Sequence, residues 1–445
     1  MNSLELLYQL FLENPRISTD SRQIAAGSLF FALKGEHFDG NAFALDALAQ
    51  GARVAVSDDP SLAGKKGIFS VDHVLQTLQD LARHHRRQFP VPVIAITGSN
   101  GKTTTKELVS AVLASHYHTH FTKGNLNNHI GVPLTLLSMP PQTEVAVIEM
   151  GANRPGDIAE LCAIAEPSHG LITNIGKAHL EGFGGLEGVK AGKSELYRFL
   201  ESHDGLAFVN QNEAFLQELA QGLKLVVPYG IVERLTGVPG FLEIQLLAEQ
   251  PFLELAFLTP ERRSQTLQTQ LIGRYNAENA ATAIALGKYF KVPPEKIKKA
   301  IESYIPSNLR SQLIRKGSNT VVMDAYNANP TSMRNAIETF AQLSSGKKVA
   351  ILGDMLELGA ASEAEHRAIL ELAQGKGFEQ LILVGPLFEE VKTSSVLHFA
   401  STPQLAAWLG QHPFSDTHIL LKASRRIGLE KLLDFIELIQ ASRFI

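Results

Sequence analysis

The chain has one cysteine, Cys162, and one tryptophan in 445 residues. A lone thiol can neither close an internal disulfide nor build a zinc site by itself, which excludes the disulfide-stapled scaffolds of oxidising compartments. An excess of either charge is also missing. Lys and Arg number 41 against 45 Asp and Glu, a formal charge of −4, so the surface as a whole is not built to hold nucleic acid or anionic lipid, and any basic site must be local. No stretch approaches the roughly 18 uninterrupted apolar residues that a membrane-spanning helix needs. Residues 1–15 carry Glu5 and Glu13 and no basic residue, so they lack the positive start of a signal peptide and read as a short amphipathic helix. These absences lead us to expect a cytoplasmic protein that meets neither nucleic acid nor membrane.

With 44% hydrophobic and 19% charged residues, the chain lies far from the composition that leaves a polypeptide disordered. At about 150 residues per domain its length implies about three domains, and the pattern is α/β throughout. Residues 1–89 read as a small α/β domain, with strands at 28–33 and 53–59 around a helical run at 42–52. Its last helix carries His84, His85, Arg86 and Arg87 and ends at Phe89-Pro90. That basic cluster could hold phosphate or nucleic acid, but it is read here as a solvated face without function. In residues 90–306 the strands VIAIT, EVAVIEMG, HGLITNIG and GLAFVN alternate with helices, as in a doubly wound parallel sheet. An antiparallel meander with one wet face is expected over 223–272, followed by a helix from near Asn276. Residues 307–445 repeat the alternation with TVVMDAY, KVAILGD, QLILVG and HILLKAS, a second and smaller doubly wound domain. There is no short repeat and no low-complexity tract.

The sharpest local signal is VIAITGSNGKTTTKELVSAVLA, residues 93–114. A buried strand ends at Thr97, a glycine loop spans Gly98, Ser99, Asn100 and Gly101, and a helix follows Lys102. Backbone N–H groups of such a loop face phosphate oxygens, Lys102 can bridge the β- and γ-phosphates, Thr104 continues the loop's first helical turn, and Thr103 can ligate Mg²⁺. ATP is the expected ligand. The common pattern has a further glycine where this chain has Ile96, which leaves a purely structural turn as the alternative reading. Glu149 and His179 follow other strands, where open α/β sheets hold ligands, and Lys193 stands in KAGKSEL. A carboxylate and an imidazole there could ligate one or two Mg²⁺ ions; each could equally be a satisfied structural residue.

Nine segments, STDSRQIAAGSLFFALKGEHFDG, TGSNGKTTTKE, GNLNNHIGVPLTLL, EMGANRPGDI, NIGKAHLEGFGGLEGVKAGKSEL, RYNAENAATA, DAYNANPTSM, ILGDMLELG and LKASRRIGLE, occur in an order and spacing that resemble the bacterial Mur ligases across all three domains. The resemblance implies that family's architecture: a small α/β domain binding a UDP-linked substrate, a central ATPase-like doubly wound domain, and a Rossmann-like C-terminal lid. It assigns Ser21, Arg22 and Lys34 to the UDP end, although Asp20 and Ser21 could simply stabilise a turn there. It assigns residues 98–104 to the phosphates of ATP, and Thr103, Glu149 and His179 to Mg²⁺, with two ions expected. Lys193 matches a lysine often carbamylated by CO₂, which turns a cation into a metal ligand; an unmodified Lys193 pairing with phosphate is the alternative. Asn276 and Asn279 match adenine-binding asparagines, although Asn276 could merely cap its helix.

From the lid, the resemblance brings Arg310 to the phosphates, Asp324 to the ribose, and Asn327, Ser424 and Arg425, with Lys422, to the incoming amine. Ala423 and Ile427 stand there where the family commonly has glycine and methionine. The implied reaction activates a peptide carboxylate as an acyl phosphate, with Lys102, His179 and Lys193 as catalytic groups. An amine then attacks to give amide, ADP and phosphate. YNANPTSM after Asp324 resembles the dipeptide-adding members rather than those adding diaminopimelate or lysine, which resemble YAHTPD there. The implied substrates are UDP-N-acetylmuramoyl-tripeptide and D-alanyl-D-alanine, in peptidoglycan synthesis for cell-wall growth and division, with the enzyme a monomer. The rivals are another ligase of this fold, such as a folylpolyglutamate synthase, and a nucleotide-binding regulatory module without catalysis.

Overall fold

The computed structural model describes residues 3–343 and 346–436. Three parallel-rich sheets follow one another along the chain. The first has four parallel strands in the order Ile17–Ser18, Leu29–Phe31, Val54–Ser57 and Ile68–Ser70. The amphipathic helix Ser3–Glu13 buries Leu7, Tyr8 and Phe11. Helix Val74–Arg86 then turns Leu78 and Leu81 into a core that also holds Val93, Ile148 and Ile164 of the next segment, so the first two sheets share one apolar interior.

That helix departs from the sequence reading. His84, His85, Arg86 and Arg87 do not form one solvated face, because His85 and Arg86 are buried. Tyr8 Oη lies 3.0 Å from His85 Nδ1, while Arg86 donates to the backbone oxygens of Ala165, Phe89 and Glu166. The guanidinium thus satisfies carbonyls at the end of helix Asp157–Ala165 that the helix cannot satisfy itself.

The central sheet has nine strands. Leu206–Asn210, His169–Ile172, Val93–Thr97, Val145–Glu149 and Thr119–Phe121 lie side by side and parallel. The expected meander joins the same sheet, but Leu225–Val232 and Leu242–Ala248 are still parallel and only Glu254–Leu258 and Ser264–Gln268 reverse direction. Nor does Glu254–Leu258 have a clean wet face, since Leu255, Ala256 and Phe257 are all buried. Helices Lys102–Ala114 and Arg274–Tyr289 cover one side of the sheet.

The third sheet pairs Gln312–Lys316 antiparallel with Asn319–Asp324, then runs parallel through Thr417–Lys422, Lys347–Gly353, Gln380–Val384 and Leu397–Phe399. Apolar cores lie on both of its faces. Among the described residues no helix is long and apolar enough to cross a membrane.

Candidate active site

Strand Val93–Thr97 comes first in the central sheet's parallel part, and the chain then builds outward on both of its sides: Val145–Glu149 on one flank, His169–Ile172 on the other. This reversal of strand order opens a crevice at the strands' carboxyl ends, where ligands of such sheets bind. A cleft of about 770 Å³ occupies that crevice, and the third domain forms its far wall.

The floor of the cleft is the loop after Thr97. Gly98 and Gly101 have φ of 140° and 79°, left-handed values that favour glycine, and a Cβ on Gly101 would collide with the amide of Asn279. Ile96, where the common loop pattern has glycine, is a buried strand residue paired with Glu149. The Lys102 ammonium folds back onto the loop's own carbonyls, 2.7 Å from Gly98 O and 3.1 Å from Ser99 O. Desolvation lowers its pKa to about 8, opposed by the Glu149 charge and reinforced by that of Arg310. Asn100 N donates to Asn174 Oδ1, and Ser99 Oγ donates to Gly176 O, fastening the loop to the neighbouring strand's exit.

Thr103 Oγ1 and Asn127 Nδ2 both donate to Glu149 Oε1, at 3.0 and 2.8 Å. Glu149 Oε2 is buried and has no hydrogen-bond partner. His179 has a left-handed backbone, φ 52°, and its Nδ1 stands 2.5 Å from Glu357 Oε2 of the third domain, a contact that holds the Glu357 carboxyl below its ordinary pKa. Lys193, at the end of helix Leu186–Lys193, lies below the cleft wall. Its Nζ is buried, 3.3 Å from Ala152 O and 5.2 Å from the centre of the Phe183 ring. Burial, reinforced by the Lys102 charge, drives its pKa well below the ordinary value. Among the described residues no three His, Cys, Asp or Glu side chains converge as a ready-made metal cage.

Asn276 and Asn279 line the cleft, but their amides are largely committed to the protein. Asn279 accepts from Thr105 Oγ1 and donates to Asn276 Oδ1, while Asn276 Nδ2 donates to Ile272 O. Asn276 lies within helix Arg274–Tyr289, whose N-cap is Gly273, so it does not cap that helix. From the third domain, Arg310, Asp324 and Asn327 line the cleft. Arg310 stacks 3.7 Å above the Tyr326 ring, and Asp324 pairs with the buried Lys422 at 3.0 Å. Ser424 and Arg425 stand outside the lining. Ser424 Oγ is buried against Leu356 N and Ala328 O, and Arg425 lies 3.6 Å from Glu430. The turn at Ser21 and Arg22 and the Lys34 side chain belong to the first domain and are not part of this cleft: Arg22 forks onto Asp20, and Lys34 meets Asp58 at 2.9 Å.

Residues 16–86 match the description "Mur ligase family, catalytic domain", 96–287 "Mur ligase middle domain" and 309–425 "Mur ligase, glutamate ligase domain". The chain belongs to the Mur ligase family. It is 34% identical to the UDP-N-acetylmuramoyl-tripeptide--D-alanyl-D-alanine ligase of Bacillus subtilis over 95% of this chain and 93% of that protein. It is also 34% identical to the enzyme of the same name from Escherichia coli, over 94% and 92%. Among solved structures it resembles MurF from Acinetobacter baumannii, with TM-score 0.83 and 33% identity over 95% of this chain and 93% of that one. MurF ligase from Thermotoga maritima, solved with ADP, gives TM-score 0.83 and 27% identity over 95% and 97%.

Several cleft residues of this Mur ligase went unnamed in the sequence reading. Asn127 and Asn128 sit in GNLNNHIGV and Arg154 in EMGANRPGD, segments marked by the resemblance but given no role there. Glu213 and Glu278 share one corner of the cleft, where burial, with Glu278 alongside, pushes Glu213 up to about 7. No motif marks Glu213. The third-domain contact nearest the phosphate loop is Asn329, whose Nδ2 donates to Asn100 Oδ1 at 2.8 Å. The Asn-Pro pair at the start of its helix was the available signal.

Proposed function

We propose that this chain is an ATP-dependent amide ligase that joins D-alanyl-D-alanine to UDP-N-acetylmuramoyl-tripeptide, acting as a cytoplasmic monomer in peptidoglycan synthesis. The single observation that carries the reading is the juxtaposition in one cleft of a phosphate loop with Arg310, Asp324 and Asn327 of a separate domain. The names of the full-length relatives supply the substrates. In this reading residues 1–89 hold the UDP end through Ser21, Arg22 and Lys34, residues 90–306 hold ATP, and residues 307–445 close over it.

The tripeptide carboxylate attacks the γ-phosphorus of ATP and ADP leaves. The amine of the dipeptide then attacks the acyl phosphate, phosphate leaves, and an amide remains. Lys102 exchanges its two loop carbonyls for phosphate oxygens, and Arg310 adds a second positive charge on the same side. Closure of the third domain keeps water from the acyl phosphate. The unpartnered Glu149 Oε2 beside Thr103 suits a divalent cation shared with the nucleotide. Mg²⁺ bound there would neutralise phosphate charge. A second ion would draw on His179, once it parts from Glu357, and on Lys193 as its carbamate. The lowered pKa of Lys193 favours the free amine, whose lone pair bonds to the carbon of CO₂ with loss of a proton.

The test is product formation. Purified protein given ATP, Mg²⁺, the UDP-muramoyl-tripeptide and D-alanyl-D-alanine should yield ADP, phosphate and the pentapeptide mass, each dependent on both acceptor and donor. ADP formation indifferent to either peptide would defeat the ligase reading.

A further inference from the structure

The segment joining the second and third domains is wound against its preferences. Asn308, Leu309 and Ser311 all have left-handed φ, at 59°, 60° and 48°, and none is glycine. Three such residues in four persist only when the surroundings hold them, and strain of this kind collects at switch points and active sites. Arg310, the residue between them, lines the cleft beside Ser311, stacks on Tyr326 and lies near enough to Lys102 to repel its charge.

What holds the segment is visible on both sides of Arg310. On one side, Glu107 of helix Lys102–Ala114 accepts from Tyr304 Oη through Oε2 at 2.7 Å and from Asn308 Nδ2 through Oε1 at 3.1 Å. On the same side Tyr326 N donates to Leu309 O, and on the other Ser311 Oγ lies 2.6 Å from Tyr275 Oη. Glu107 is thus tied to the phosphate loop by one and a half turns of helix and to the interdomain segment by two hydrogen bonds.

We propose that Glu107 is a positioning residue: by gripping Tyr304 and Asn308 it fixes the strained linker so that Arg310 enters the phosphate end of the cleft. The proposal rests on the ligase reading above, and the carboxylate acts only through Arg310.

The test cuts the grip without touching Glu107, whose Oε1 also lies 3.6 Å from the buried Lys106. In full-length protein, Tyr304→Phe removes one donor. Asn308→Gly removes the other while accepting the left-handed φ. The double variant should melt like wild type, keep its KM for the UDP substrate, and lose about tenfold or more in kcat, with a several-fold weaker affinity for ADP by titration. In an Arg310→Ala background the same two changes should cost nothing further in either measurement. Undiminished kcat and ADP affinity, or equal losses with and without Arg310, would overturn the proposal. Should wild type fail to join the two peptides, the ligase reading falls, and the ADP titrations across the four proteins still judge the role of Glu107.

Discussion

Asn329 Nδ2 of the third domain donates to Asn100 Oδ1 at the tip of the phosphate loop, 2.8 Å away, while its own Oδ1 caps helix Pro330–Gln342 through Ser332 N. One side chain thus both begins a helix of the lid and touches the loop that would hold the phosphates. Serine caps helices as well as asparagine but is too short to reach Asn100. Asn329→Ser should therefore leave the melting temperature nearly unchanged and lower kcat by about three- to tenfold, the size of one lost neutral hydrogen bond. Steady-state kinetics beside thermal melts would decide it, and an equal fall in stability would reduce Asn329 to a cap.

Lys102→Met should abolish ATP turnover in a folded protein. It also carries a pH signature. Below pH 8 the ammonium is protonated in folded and unfolded chains alike, so its desolvation weighs on the folded state in full. Between about 8 and the unfolded value near 10.4 the folded protein releases this proton first, and its stability rises relative to the unfolded chain. Melting temperatures of the nucleotide-free proteins should therefore favour the Met variant most at pH 7 and least near pH 10. A constant difference across that range would mean that Lys102 titrates normally.

Arg86 and Arg87 are neighbours with opposite expected costs. Arg86 is buried and serves three carbonyl oxygens, so Arg86→Ala leaves acceptors unmatched and should cost about 2–4 kcal/mol. Arg87 is mostly exposed and holds Glu166 at the surface, so Arg87→Ala should cost less than about 1 kcal/mol. Urea denaturation of the two variants separates them; similar losses would contradict the account of this helix.

The contrast also explains what the sequence could and could not disclose. Strand runs such as Val93–Thr97 and the buried VAILG end of Lys347–Gly353 are legible because burial on both faces favours near-continuous apolar residues. The phosphate loop is legible because its backbone needs glycine at fixed places. Arg86 was misread because nothing local distinguishes a guanidinium that caps a distant helix from one in water. Glu107, Glu213 and Asn329 were missed for a related reason: Glu107 meets Tyr304 and Asn308 from 197 and 201 residues away, Asn329 meets Asn100 from 229 away, and Glu213 lies beside Glu278 of a later helix, so only the assembled sheets bring them together. Ser424 and Arg425 were assigned to the amine by motif, whereas the local chain turns Ser424 inward and Arg425 toward Glu430.

If Lys193 works as a carbamate, Lys193→Ala should lose at least about a hundredfold in turnover, as expected when a group that orders the metal site is removed, and regain part of it with short carboxylates small enough to enter the vacated space. The same protein should bind UDP substrate normally. Native mass measured in bicarbonate buffer should exceed the sequence mass by one CO₂ in wild type only. An unshifted mass in active enzyme, together with no rescue, would leave Lys193 as a plain amine beneath the cleft wall.

The amine substrate is the most selective claim. YNANPTSM brings Asn327 into the cleft beside Arg310 and Asp324, and a dipeptide placed there presents one ammonium to the acyl phosphate and one carboxylate two residues' length away. Meso-diaminopimelate, lysine, L-alanine and D-glutamate set their charges at other separations, and a closed site that pairs one spacing leaves the others with an unmatched charge. The enzyme should form amide with D-alanyl-D-alanine at least about a hundredfold faster, by kcat/KM, than with any of these, a discrimination of about 3 kcal/mol or more. Arg425→Ala should raise the dipeptide KM alone if that guanidinium leaves Glu430 to meet the carboxylate; an unchanged KM would transfer the role to Arg310, whose removal should then affect dipeptide and ATP together. Preference for a single amino acid over the dipeptide would overturn the substrate assignment and leave the acyl-phosphate chemistry standing.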